Sequence, residues 1–467
     1  MPVRIRDVRA SLSGRATDAR PDNRLALLDQ AFFAGHRAAD QNEVMQVVWI
    51  YEHPVDFDAL KRLHHNFGYG LMGRRIERSP LPFGRHRWVS DRGPAAIDVE
   101  ERARPRAEVS DWADERTQLP TDPESGPTWH LGVLPLTDGS TAISLVMSHY
   151  VLDGFGGAFA LIQALLGNTG EHGYPPPGSR TRLRAVVEDA AQAARELPEV
   201  GRALVAAAKL ARASRQDAAR KPAPRPAAPR VEAGAEPVVL PGIPFYIGLG
   251  EWDACAARLG GTSNTLAAAL TAKLGEHVGR RHDDDGRVTV QLAMNDRTPD
   301  DTRAVAVSFA SATVDPSRVT TDLTETRAAV KQALTTLRET PNDAPKVAAL
   351  TPFTPKAAWK RMGDGLATDP ERPVVFSNLG DVGEVLSALD GTHCEYAFAR
   401  GTKQRMTRQY LERIGGLLQL LAFRSQPMGK ICFALLAYQP GAENTKPALR
   451  ELVTRTLAEF GLTAEIG

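Results

Sequence analysis

The feature that most constrains the fold is a proline-, alanine- and arginine-rich stretch near the middle of the chain. From Lys221 it reads KPAPRPAAPRVEAGAEP. Its prolines remove backbone donors and disfavour helix, so residues from about Ser214 to Pro237 are expected to form a linker. The linker divides the 467 residues into an N-terminal lobe (1–213) and a C-terminal lobe (238–467). Each is roughly 210–230 residues long and mixes helical with strand-like patterning, so two α/β lobes are the simplest architecture. Hydrophobic residues at 42% and charged residues at 24% exclude wholesale disorder, a collagen-like repeat and a pure coiled coil. Lys and Arg total 57 against 56 Asp and Glu, too even a balance for the broad positive field of a dedicated nucleic-acid binder. Cys255, Cys394 and Cys432 are odd in number, far apart and outside any CxxC pattern, which argues against structural zinc and for a reducing compartment. No stretch of about 18 apolar residues occurs, so neither a signal peptide nor a membrane span is expected, and the cytoplasm is the expected location.

Periodicity places the elements. Helices are expected over Arg24–Phe33, Phe57–His65, Leu266–Val278, Thr324–Arg338 and Pro447–Phe460. Strands are expected over Val44–Tyr51, Leu131–Leu136, Thr141–Met147, Val288–Ala293, Ala304–Val314 and Pro373–Ser377, with a strand pair within Gly416–Tyr438. Thr262, Ser263 and Asn264 read as a cluster of helix caps. Arg182–Ala213 reads as an amphipathic helical stretch broken at Pro198, its apolar positions Leu183, Val186, Val187, Leu197, Leu204 and Val205 packed on the lobe rather than on a membrane surface. Asp283-Asp284-Asp285-Gly286 lacks the spaced ligands of a calcium loop and reads as a solvated turn. No metal is expected.

Chemistry concentrates in Ser148-His149-Tyr150-Val151-Leu152-Asp153-Gly154, between the apolar strand TAISLVM and the apolar helix FGGAFALIQALL. A histidine at the carboxyl end of a strand can project into a cleft, and an imidazole can take a proton from an alcohol or amine at neutral pH. Asp153 is read either as orienting that ring or as turning away to pair with an arginine. Gly154 is read as permitting a tight exit. Spacing alone leaves open a plain hydrogen-bonded loop histidine with Asp153 as a helix cap. Other chemistries lack motifs, since no GxSxG, P-loop or HExxH is present. Gly68–Gly73 spells GxGxxG after a helix rather than a strand, which makes it a glycine-rich loop. His64 and His65 read as surface residues.

The strand–HxxxDG–helix unit in a chain of two similar halves resembles the HxxxDG acyltransferases: chloramphenicol acetyltransferase, nonribosomal-peptide condensation domains and, most of all, the wax ester synthase/diacylglycerol acyltransferase group. RLALLDQAFF, PLPFGRHRWV, GPTWHL, GGTSNTLAAALTAKL, VTVQLAMNDRT and VVFSNLGDVG resemble successive segments of that group in the same order. The resemblance implies two chloramphenicol acetyltransferase-like lobes with an active-site tunnel at their interface. It implies that His149 is the catalytic base, that Asp153 is mainly structural and pairs with Arg297 across the lobes, and that Ser148, Ser377 and Asn378 are candidates for contacting substrate or the oxyanion. Ser148 stands where the wax ester synthase group has the first of two histidines, and Asn-Leu-Gly-Asp replaces its Asn-Val-Pro-Gly, so the likeness is to the catalytic centre more than to lipid specificity.

The implied activity is transfer of an acyl group from a thioester, on CoA or a phosphopantetheinyl carrier protein, to a hydroxyl of a lipid or small molecule, with no permanently bound cofactor. A free-standing condensation enzyme joining carrier-bound substrates through an amide or ester is the alternative. A catalytically silent binding protein of the same fold is the third reading. The expected partners are the thioester donor, an acyl carrier protein among them, and the hydroxyl or amine acceptor. Nucleic acid is not one, and membrane contact is expected to be at most weak and peripheral.

Overall fold

The computed structural model describes residues 23–170, 172–218, 237–298, 300–339, 344–367 and 373–467. The chain opens with α1 (Leu27–Ala38), β1 (Asn42–Tyr51), α2 (Phe57–Phe67), β2 (Arg74–Glu77), β3 (Arg87–Ser90), β4 (Asp98–Val99) and α3 (Val109–Gln118). The hairpin β5 (Trp129–Pro135) and β6 (Thr141–Ser148) follows, then α4 (Gly154–Leu165) and α5 (Arg182–Ala218). After the midpoint come β7 (Gly242–Gly248), α6 (Leu249–Arg258), α7 (Ser263–His277), β8 (Val288–Asn295), β9 (Val307–Val314), α8 (Thr324–Glu339), α9 (Ala344–Val347) and α10 (Lys356–Ala367). The chain ends with β10 (Val374–Asp381), β11 (Tyr396–Gln404), α11 (Arg408–Arg413), β12 (Leu417–Ser425), β13 (Lys430–Tyr438), α12 (Lys446–Glu459) and β14 (Glu465–Ile466).

Two large sheets organise these elements. The first has the order β11-β1-β6-β5-β4 and the second β14-β7-β13-β12-β10-β8-β9. The Asp-Gly turn between β5 and β6 has Gly139 at φ 88°, the left-handed conformation glycine adopts without strain. In the second sheet β10 runs parallel to both β8 and β12. The halves interlock. β11, from the C-terminal half, pairs with β1 along its whole length, from Asn42 opposite Gln404 to Ile50 opposite Tyr396. One buried cluster joins Trp49, Trp129 and Leu145 of the first half to Tyr246, Phe423 and Cys432 of the second, whereas Phe245, Trp252, Leu266 and Phe433 belong to a core of the second half alone. All three cysteines are buried and free.

Several expectations are corrected. α5 runs unbroken through Pro198 to Ala218; proline deletes one intrahelical hydrogen bond, and here that loss does not end the helix. Of the expected linker, 219–236 lie outside the described residues, and 214–218 continue α5. The apolar positions of α5 do not pack on the lobe: Ala185, Asp189 and Ala203 face inward, and Leu183, Val187, Leu197, Leu204 and Val205 are exposed. The expected strand from Ala304 starts only at Val307, because residues 304–306 form a strap held by carboxylates. Among the described residues no helix is long and apolar enough to cross a membrane.

Candidate active site

β6 is buried along its whole length and delivers its last residue to the turn at His149. The Ser148 N–H donates to Thr128 O at 2.8 Å, the His149 N–H to Glu43 O at 2.9 Å and the Val151 N–H to Ser148 O at 3.1 Å. These bonds fix the turn before α4 begins. Ser148, a substrate-contact candidate from sequence, is fully buried and its hydroxyl has no hydrogen-bond partner. His149 is half-buried, not sealed in hydrocarbon.

Asp153 sits at the N-cap of α4 with extended backbone geometry, and its Oδ1 accepts from the Gly156 N–H at 2.7 Å. The cap satisfies one of the helix's orphan donors. Its Oδ2 accepts from Arg297 Nη2 at 2.8 Å and from the Ala306 N–H at 2.7 Å. Asp153 therefore turns away from the histidine, and the cap and the arginine pair coexist. Both side chains are buried, at 1% and 8% exposure; ions so desolvated persist only when paired and hydrogen-bonded. Arg297 completes its fork on the carbonyls of Asp301, Arg303 and Ala304.

Two residues that sequence reasoning missed hold the strap and the loop that leads into it. Asp29 of α1, 3% exposed, accepts from the Ala304 and Val305 N–H groups at 2.8 and 3.0 Å. Burial, only partly offset by those bonds and by Arg74 and Arg303, raises its pKa. Arg74, fully buried, donates to Val151 O at 2.9 Å and to Thr302 O at 2.7 Å. It thus clamps the motif turn of one half to the Arg297 loop of the other. Neither residue carries a local sequence signature.

Around the histidine ring lie Phe32, with ring centroids 5.5 Å apart, and a charged row on β1 and β11. Glu43 is directly opposite Lys403, and the β1–β6 register, with Val44 opposite Ser148, places it beside His149. Glu43 Oε2 lies 3.2 Å from Nε2 of His36 on α1. Burial pushes the Glu43 carboxyl up, but Lys403, His149 and His36 outweigh it and hold the pKa below the usual value. Burial, opposed by Glu43 and reinforced by Lys403, lowers His36 to about 4. His149 Nδ1 is buried without a hydrogen-bond partner.

Ser377 and Asn378 lie within β10 rather than in a loop, with Ser377 in register with Ala293 and Leu421. Asn378 Nδ2 donates to Asn264 Oδ1 at 2.5 Å, and its Oδ1 accepts from the Gly380 N–H at 2.8 Å. The cap of α7 is Thr262, whose hydroxyl accepts from the Thr265 N–H; Asn264, read as a cap, instead ties α7 to β10. The next residue of β10, Leu379, would stand 3.3 Å from a Cβ placed on Gly154. Gly154 is the first residue of α4 and has no positive φ, so its smallness serves this approach rather than a special turn.

A pocket of about 560 Å³ opens between α2 and residues 92–97, lined by Lys61, His64, Tyr69 and Arg92 among others. His149 is not in its wall, so this pocket does not stand for the tunnel expected between the lobes. His64, expected on the surface, is half-buried, its ring centroid 5.0 Å from that of Trp129. His282, Asp284 and Asp285 converge within 4.8 Å; Asp285 accepts from the Arg287 N–H and pairs with His282, closing the turn before β8.

The fold is the two-lobed α/β fold of condensation domains and wax ester synthases. The first condensation domain of the CDA synthetase superposes with a TM-score of 0.55 at 10% identity, over 95% of this chain and 97% of that one. Wax ester synthase/diacylglycerol acyltransferase from Marinobacter aquaeolei VT8 gives 0.52 at 15% identity, over 94% and 98%. Polyketide synthase associated protein 5 from Mycobacterium tuberculosis gives 0.51 at 16% identity, over 93% and 97%. No sequence-family model matches the chain, and no curated protein is similar to it in sequence.

Proposed function

We propose that the protein is an acyltransferase that moves an acyl group from a thioester, on CoA or an acyl carrier protein, to a hydroxyl of a lipid or small molecule. The observation that carries this reading is the loop of His149, held rigid by a buried Asp153–Arg297 pair that joins the two halves. A pre-positioned imidazole on a locked loop is what direct acyl transfer requires. The fold shared with a wax ester synthase/diacylglycerol acyltransferase supports the same chemistry.

In the proposed reaction the thioester and the acceptor approach His149 from opposite sides, through a passage between the lobes. The acceptor oxygen attacks the thioester carbonyl while His149 Nε2 takes its proton, a contribution of roughly 10²–10⁴-fold. The tetrahedral oxyanion then collapses, the C–S bond breaks, and the imidazolium returns its proton to the departing thiolate. Donors for the oxyanion are backbone amides at the start of α4 and Ser377 and Asn378 in the middle of β10; loss of such a donor costs about 2.7–4 kcal/mol. No acyl-enzyme forms and no resident cofactor is needed. In the alternative, a free-standing condensation enzyme, the same base serves an amine or hydroxyl acceptor with both reactants on carriers.

The test is thiol release from a panel of acyl-CoA and acyl-carrier donors with candidate alcohols and amines, for wild type and His149→Ala. Release that depends on donor and acceptor and is lost in the variant supports the reading, and the productive donor separates the two enzyme classes. Equal release by the variant removes His149 from the mechanism. No release by wild type with any pair leaves the silent binding protein as the better account.

A further inference from the structure

The outward face of α5 carries an unusual arrangement. Leu183, Val187, Leu197, Leu204 and Val205 are 57–76% exposed, and at 100° per residue all five fall on one stripe about 100° wide. From Leu183 to Val205 the stripe is about 33 Å long at 1.5 Å per residue. Ala190, Ala194, Gly201 and Ala208, also exposed, fill the spaces between. The opposite face docks the helix: Asp189 accepts from Ser79 Oγ at 2.6 Å and Arg180 Nη1 at 2.7 Å, and Glu196 pairs with Arg85 at 2.8 Å. Single exposed leucines are ordinary, but a continuous apolar stripe on a well-anchored helix marks a surface that meets something.

The charges beside the stripe indicate what it meets. Arg184, Arg195, Arg202 and Lys209, all exposed, line one border; among the described residues only Arg184 of these makes an ion pair along the helix that partly neutralises it, donating to Glu188 at 2.7 Å. Among the described residues the acidic side chains on the other side of the stripe, Asp189 and Glu196, are turned into the docked face by Ser79, Arg180 and Arg85. A second copy of the chain laid antiparallel on the stripe would bring the two cationic rows together, and a parallel copy would find no acidic row to receive them. The chain as a whole is nearly neutral, at +1, so the positive border is a local feature rather than general basicity. An apolar stripe flanked by long cationic side chains fits the boundary of an anionic bilayer, with the leucines and valines among acyl chains and the cations at headgroup level. We propose that α5 lies in the plane of an anionic lipid surface and docks the enzyme there without spanning it.

The experiment is co-sedimentation of the full chain with vesicles of phosphatidylcholine alone and of phosphatidylcholine with roughly one-third phosphatidylglycerol. Wild type is expected to sediment with the anionic vesicles, less so as salt rises. The combined L183Q, L197Q and L204Q variant is expected to bind at least about tenfold more weakly, with its circular dichroism and melting nearly unchanged because these side chains are mostly exposed. Arg195→Gln with Arg202→Gln is expected to weaken anionic binding selectively. Wild type left in the supernatant with both vesicles, or a triple variant that binds like wild type, overturns the proposal. A concentration-dependent dimer abolished by the same substitutions would assign the stripe to a second copy and overturn it equally.

Discussion

Arg297 and Asp153 are 144 residues apart in the chain and 2.8 Å apart in the fold. The pair links the second half of the molecule to the residue that ends the turn after His149. Removing one partner of a buried ion pair leaves the other charge desolvated and typically costs roughly 3–5 kcal/mol. Asp153→Asn keeps an acceptor for the Gly156 N–H but strips Arg297 of its counter-charge, so it is expected to lose stability toward the lower end of that range as well as rate. Urea denaturation midpoints measure it; a variant as stable as wild type would show that the pair is energetically idle.

This relationship also marks where sequence reading stops. Strand, motif and helix around His149 are local patterns, and their positions follow from periodicity and cap chemistry. Arg297 came only from resemblance, and Asp29, Arg74 and Glu43 not at all, because each reaches the site by long-range packing that no spacing rule encodes. β11 was missed for a physical reason: its polar residues are buried, contrary to the usual alternation. Arg400 donates to Gln46 at 2.8 Å, and Gln404 accepts from Asn42 at 2.6 Å, so YAFARGTKQ reads as a loop yet completes a sheet. β7 was hidden by its Gly and Pro, which signal turns in isolation. The outward apolar face of α5 inverted the normal inference from amphipathic pattern to core.

Glycines near the motif separate packing from propensity. A Cβ on Gly156 would stand 3.1 Å from the Arg297 guanidinium and 3.0 Å from Leu152, and one on Gly154 would stand 3.3 Å from the flexible tip of Leu379. Both lie in α4, where alanine favours helix over glycine by about 1 kcal/mol. Gly154→Ala is therefore expected to leave stability nearly unchanged, whereas Gly156→Ala displaces Arg297 and destabilises. Gly93→Ala is expected to be worse than either, since φ is +77° and the new methyl would lie 2.3 Å from the Trp129 indole. Thermal melts of the three variants should rank in that order.

Acid should destabilise the fold through buried histidines. Burial is the largest cause in each case, lowering His36 and His86 to about 4 and His130, with help from Arg116, to about 3. An unfolded histidine titrates near 6.5, so below that pH the unfolded chain binds protons that the native state refuses. The stability from keeping these rings neutral is complete above about pH 6.5 and is lost as pH falls toward 4. At pH 5.5 each site contributes a loss of up to about 1.4 kcal/mol. His130 Nδ1 accepts from Arg116 Nη2 at 3.0 Å; asparagine can keep that acceptor without titrating. His130→Asn is expected to show a shallower fall in urea midpoint between pH 7 and 5 than wild type, and an identical slope would exclude His130 from the linkage.

Glu43 offers the sharpest test of the proposed base. Its place beside His149 follows from the ladder: the His149 N–H bonds Glu43 O at 2.9 Å, and cross-strand neighbours have Cβ atoms about 4.5–5.5 Å apart. The carboxyl is kept ionised because Lys403, His149 and His36 together overcome the cost of burial, so a fixed negative charge faces the ring that must become positive during proton transfer. That charge favours the imidazolium that forms as the base takes the proton in the transition state. Glu43→Gln should therefore lower kcat with little change in KM. If kcat does not fall, Glu43 serves the pairing of β1 with β11 and has no part in holding the charge of the base.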